Sequence, residues 1–113
     1  MKFSATSFQH LGSQLTIGKD DDSKMLDDRT FVAFFGMSPE IIAESWSLIH
    51  DNLDGTARPK HLLWTCMFMK LYLPEDVMCV LLATSKPTFR KWVWIFIENL
   101  ALTSLQIVSR LQP

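Results

Sequence analysis

Glycine and proline are scarce in this chain, four and five residues respectively out of 113, which excludes a loop-rich or low-complexity polymer. Cysteine is scarcer still. Cys66 and Cys79 fall inside apolar runs without CxxC spacing, so there is no disulfide framework, and both read as buried free thiols of a reducing compartment. His10, His50 and His61 share no ligand spacing with either cysteine, so no zinc site is expected. No uncharged run reaches the roughly 18–20 apolar residues that span a bilayer. The N-terminus also lacks the charged-then-apolar order of a secretory signal. No segment alternates with period two for more than a few residues, so no sheet is expected.

What the chain has is apolar mass: 48% hydrophobic residues, with eight Phe and four Trp, ample for one core. Its formal net charge is only −1, but the charge is divided unevenly. Residues 1–57 hold four basic residues (Lys2, Lys19, Lys24, Arg29) against nine acidic ones, a net of −5. Residues 58–113 hold seven basic residues (Arg58, Lys60, Lys70, Lys86, Arg90, Lys91, Arg110) against three acidic ones, a net of +4. Such asymmetry points to an acidic arm and a basic binding face.

Residues 1–24 read as a flexible acidic leader, polar and small, ending in three mutually repelling aspartates, Asp20–Asp22. Those aspartates lack the Gly-turn pattern of a calcium loop, and no metal site is expected there. Residues 25–113 read as one helical domain. Asp27 or Asp28 caps a helix that ends at Gly36. Ser38, Pro39 and Glu40 start a second helix reaching about Leu53, with Ile41, Ile42, Trp46, Ile49 and Leu53 inward and Glu40, Glu44, Ser47 and Asp51 outward. Pro59 opens a third, apolar on nearly all sides and therefore expected as a central post. The fold class that follows is all-α: a small five-helix bundle containing a helix–turn–helix, preceded by a disordered N-terminal leader.

The last two helices carry the function. Pro74–Leu82 makes a short helix with Glu75 and Asp76 at its positive end. Ala83, Thr84 and Ser85 break it. Ser85 then offers a capping hydroxyl, and Pro87 fits a first turn. Beyond it Phe89, Trp92, Val93, Phe96, Ile97 and Leu100 recur on one buried face, as far as Leu102. Lys86, Thr88, Arg90 and Lys91 crowd the first two turns of this helix, where positive charge opposes the helix dipole and an anionic partner would justify it. A helix–turn–helix puts that end of its second helix into the DNA major groove. Lys86, Thr88, Arg90, Lys91 and Ser85 are therefore the candidate DNA contacts. Arg58 and Lys60, with His61, are candidates for gripping the phosphate backbone, or are solvated charges at a turn. Ser85 has no supporting base, and no residue pattern suggests catalysis or a cofactor.

The order of these segments carries a resemblance. DDRTFVAFFGMSPEIIAESWSLI, a Gly-containing turn, and PKHLLWTCMFMKLYLPEDVMCVLLATSKPTFRKWVWIFIENLA, together about Met25 to Leu102, resemble the N-terminal helix–turn–helix region of PIF/Harbinger-like DDE transposases. The matching slots are Met69-Lys70-Leu71, Glu75-Asp76-Val77, Ala83-Thr84 and Ser85-Lys86-Pro87-Thr88. The resemblance implies a nuclear protein of transposable-element origin that binds double-stranded DNA. Two features depart from the family. Its turn commonly has glycine where this chain has Ala83, and its metal-binding catalytic domain, which would follow the recognition helix, is absent. A DNA-binding module without enzymatic activity is the expectation. The alternative is an orphan helical interaction module that meets a missing catalytic domain or a second copy through Trp94 and Ile95.

Overall fold

Helix–helix packing organises this chain from close to its first residue. The computed structural model describes residues 3–16, 25–53 and 55–111, with side chains described as far as Leu102. Among the described residues there are six α-helices and no strand: α1 Ala5–Thr16, α2 Asp28–Phe35, α3 Pro39–Ile49, α4 Pro59–Leu71, α5 Glu75–Leu82 and α6 Lys86–Leu111. A single 3-10 turn, His50–Asn52, prolongs α3.

The all-α class is as expected, but the count of helices and the leader are not. Residues 5–16 are a helix packed against α2, α3, α4 and α5. The spacing of Phe8, Leu11, Gly12 and Leu15 places them on one face. Phe8 is fully buried, with the ring of Phe3 edge-on at 4.6 Å. Gly12 lets the backbone of α1 approach two rings: a Cβ there would lie 2.6 Å from Phe31 Cε2 and 2.9 Å from Phe35 Cε2. Two polar side chains tie the helix down. The Ser13 hydroxyl accepts from Leu26 N–H at 2.9 Å and donates to the Gln9 carbonyl at 2.7 Å, and the Gln9 amide donates to the Leu26 carbonyl at 2.8 Å. A flexible leader is thus overturned for residues 5–16. Asp20–Asp22 lie outside the described residues.

The helix boundaries follow their punctuation. The Asp27 carboxylate caps α2 by accepting from Thr30 N–H at 2.7 Å, and that hydrogen bond holds its pKa below the usual carboxylate value. Gly36 ends the helix in the left-handed region, φ 80°. Ser38 caps α3 by accepting from Ile41 N–H, with Pro39 in the first turn. On α3, Ile42 and Ile49 are buried, but Ile41, expected inward, is half exposed. Glu40, Glu44, Ser47 and Asp51 all face solvent as expected.

α4 is the post, though only along part of its length. It packs on α6, α2, α1 and α3, and every residue from His61 to Met67 is buried. Lys70 and Met69 are exposed, and Tyr72, which ends the helix at φ 53°, is almost fully so. α6 buries Phe89, Trp92, Val93 and Phe96 against it. The backbone of α6 runs on past Leu102 as one helix to Leu111. Cys66 and Cys79 are free and buried; burial pushes the Cys66 thiol up to about 12, leaving it protonated and unreactive at neutral pH. Among the described residues no helix is long and apolar enough to cross a membrane.

Candidate nucleic-acid interface

The turn between α5 and α6 is three residues, Ala83–Ser85. Ala83 takes the left-handed conformation at φ 54°, ψ 49°, donating its N–H to the Val80 carbonyl while Thr84 N–H reaches the Cys79 carbonyl. This is the helix stop that glycine usually serves, here made by a residue with a Cβ and therefore strained. Ser85 then caps α6: its Oγ accepts from Thr88 N–H at 3.4 Å and donates to Thr88 Oγ1 at 3.0 Å. The face that fixes α6 against the bundle is buried at Phe89, Trp92 and Val93. Ser85, Lys86, Thr88, Arg90 and Lys91 are all exposed.

The candidate cations divide into two groups. Lys86 is ion-paired with Asp76, and Arg90 Nε donates to Glu75 Oε2 at 2.6 Å. Both carboxylates come from the first turn of α5, so one helix start neutralises the other. The Asp76 partner holds the Lys86 pKa above its ordinary value. Positive charge at the start of α6 therefore already has anionic partners inside the chain, which weakens the expectation that only an external anion explains it. These pairs are open to water, with side-chain exposures of 59% for Arg90 and 50% for Lys86, and exposed pairs exchange partners at little cost.

The second group is Arg58, Lys60 and Lys91. Among the described residues no carboxylate lies within ion-pair distance of any of them. They converge on His61. Its ring is stacked on Trp92, centroids 4.3 Å apart and planes within 7°, with Trp64 edge-on at 4.8 Å. Lys91 Nζ lies 4.6 Å from the centre of the Trp92 ring, and Lys60 Nζ 5.6 Å from that of Trp64. Burial, with the charges of Lys60, Arg58 and Lys91 beside it, pushes the His61 pKa down to about 4. His61 was expected at the surface, gripping a phosphate or solvated at a turn. Instead it is 4% exposed, and its Nδ1 accepts from Arg58 N–H at 3.0 Å, which holds the start of α4. A histidine three residues after a helix start, in reach of that start's free N–H, carried this signal in the sequence.

Trp94 is 59% exposed, as expected. Ile95 is not part of that surface; it is partly buried against the core. Among the described residues no three of His, Cys, Asp and Glu gather to hold a metal ion. No family model, curated protein or solved structure matches this chain. The chemistry of the surface must therefore be read from its own residues.

Proposed function

We propose that this chain is a DNA-binding module in which α5 and α6 act as a helix–turn–helix, and that it derives from a transposase-like nuclear protein. The observation that carries the reading is the cluster of Arg58, Lys60 and Lys91, three exposed cations without a carboxylate partner among the described residues. It lies beside the exposed start of α6, and cations placed so await an anion. Phosphates along a duplex supply anions at regular spacing, and release of their counterions drives binding. Arg58, Lys60 and Lys91 are the backbone grip. Thr88 and Ser85 supply hydroxyls, and Lys86 and Arg90 join by exchanging Asp76 and Glu75 for phosphate or base edges.

The test is fluorescence anisotropy with a random-sequence duplex at several salt concentrations. Affinity is expected to fall linearly on logarithmic axes, and the slope to flatten by about 1 for each phosphate contact removed. Alanine at Arg58, Lys60 and Lys91 together is expected to flatten it by about 3, on the same footing. Arg90→Ala with Lys91→Ala tests the start of α6 in the same way. Absence of duplex binding at low salt, or a slope that the variants leave unchanged, overturns the reading.

One observation favours a second reading, an interaction module that takes a protein partner. Trp94 at 59% and Val80 at 80% exposure are large apolar side chains in water. Concentration-dependent light scattering separates the two, because self-association without duplex affinity belongs only to the second.

A further inference from the structure

Four helices meet imperfectly beside the cationic cluster. α1, α4, α5 and the start of α6 leave a cavity of about 460 Å³ between them, within the range that holds a small organic ligand, about 300–1,000 Å³. Aliphatic side chains line it from two helices, Leu11 and Leu15 from α1 and Leu81 and Leu82 from α5. Two rings, His61 and Trp64, line it from α4. Among the described residues Lys60 is the one ammonium in the lining and no carboxylate shares it. The amide of Gln14 and the hydroxyls of Thr84 and Thr88 add polar groups to the lining.

Trp64 supplies an independent observation. The residue is 3% exposed, and its indole N–H is buried with no hydrogen-bond acceptor among the described residues. A buried donor left unmade is unfavourable, and native structures rarely keep one without a reason. It belongs to a residue in the cavity wall, under the Lys60 ammonium. Hydrogen-bond donors and one positive charge in an otherwise largely aliphatic and aromatic lining match an acceptor-bearing anion with an apolar body.

From this we infer that the cavity is a binding site for a small amphipathic monoanion, a carboxylate carrying an aliphatic or aromatic tail, with the tail between Leu11, Leu15 and Leu81 and the carboxylate at Lys60. The site does not depend on DNA binding, although Lys60 and Thr88 belong to both surfaces, so a bound carboxylate and a duplex would compete for them.

The test is a titration of the full chain, without DNA, with octanoate and with 1-naphthoate, followed by calorimetry and by the indole N–H resonances in nuclear magnetic resonance spectra. The Trp64 resonance is assigned from Trp64→Phe. The expected result is saturable one-site binding of at least one carboxylate that moves the Trp64 indole signal, with octylammonium binding at least tenfold more weakly. Lys60→Gln is expected to weaken the carboxylate about tenfold, the size of one lost charge-assisted hydrogen bond. Leu81→Glu, at a position more than half exposed and so tolerated by the fold, is expected to abolish binding by putting a like charge in the slot. Retained helical circular dichroism shows that either variant has folded. The inference is overturned if neither carboxylate saturates at millimolar concentration. It is equally overturned if octylammonium binds as well, or if Lys60→Gln and Leu81→Glu leave the affinity unchanged. Loss of the duplex-binding reading would leave the octanoate result standing, because no nucleic acid enters this measurement.

Discussion

His61 is where a local need and a tertiary one coincide. Its Nδ1 satisfies the Arg58 N–H at the start of α4, and its ring fills the space between Trp64 and Trp92. Both roles require the neutral form. With a folded pKa near 4 against an ordinary 6.5, the unfolded chain binds a proton that the folded chain refuses. Stability is therefore complete above about pH 6.5 and falls as pH drops toward 4, by roughly 3 kcal/mol at the limit of that shift. Urea unfolding at pH 7 and pH 4.5 should show the loss, and His61→Gln, which keeps an acceptor but does not titrate there, should flatten it. Ala83 is the second residue whose backbone decides something. At φ 54° its Cβ opposes the left-handed conformation, by about 1–2 kcal/mol for an ordinary residue. Ala83→Gly, after the larger entropy that glycine loses on folding, should raise stability by about 0.5–1 kcal/mol in the same measurement. The position was legible in the sequence as the turn between two helices. Its left-handed conformation was signalled only by the glycine that the resembled family commonly has there.

Among the elements, α2 to α6 could be read from punctuation: Asp27, Gly36, Ser38-Pro39, Pro59, Pro74 and Ser85-Pro87 each stand at or beside a helix end. The buried face of α6 could also be read, because Phe89, Trp92, Val93 and Phe96 repeat with helical spacing. α1 was missed because its composition is polar, and a helix that donates one aromatic and one glycine to a core looks like a linker when only hydrophobic density is weighed. The signal was geometric: Phe8, Leu11, Gly12 and Leu15 share one face, and Ser13 and Gln9 carry the hydrogen bonds that tie it to Leu26. Composition could not show that Leu26 would offer those backbone partners. The consequence is measurable. Phe8→Ala should destabilise the whole domain by about 3–5 kcal/mol, a large share of the 5–15 kcal/mol that holds an ordinary domain together. Gly12→Ala should also destabilise, by about 1–3 kcal/mol, since the new methyl meets the Phe31 and Phe35 rings. If α1 were a dispensable leader, thermal unfolding of both variants would match the parent chain.

At the scale of the whole molecule, the uneven charge seen along the chain becomes a division of surface. α3 and the 3-10 turn that prolongs it turn Glu40, Glu44 and Asp51 to solvent, while Arg58, Lys60 and Lys91 gather where α4 and α6 begin. The sequence located these cations but could not show which of them are already paired, because Glu75 and Asp76 precede Arg90 and Lys86 by ten residues or more and meet them only after the turn closes. That pairing sets the strength of the proposed interface. Lys86 and Arg90 must leave Asp76 and Glu75 to meet a phosphate, and the two carboxylates then stand beside the incoming polyanion and repel it. Glu75→Gln with Asp76→Asn removes both obstacles while keeping side-chain size and hydrogen-bonding capacity. The double variant should bind a random-sequence duplex at least tenfold more tightly at low salt, with a salt dependence steeper by about 2, one for each released cation. Little change in stability is expected, since exposed ion pairs contribute little to folding. An unchanged duplex affinity would mean that Lys86 and Arg90 serve only to bind α5 to α6, and the interface would then reduce to the three cations around His61.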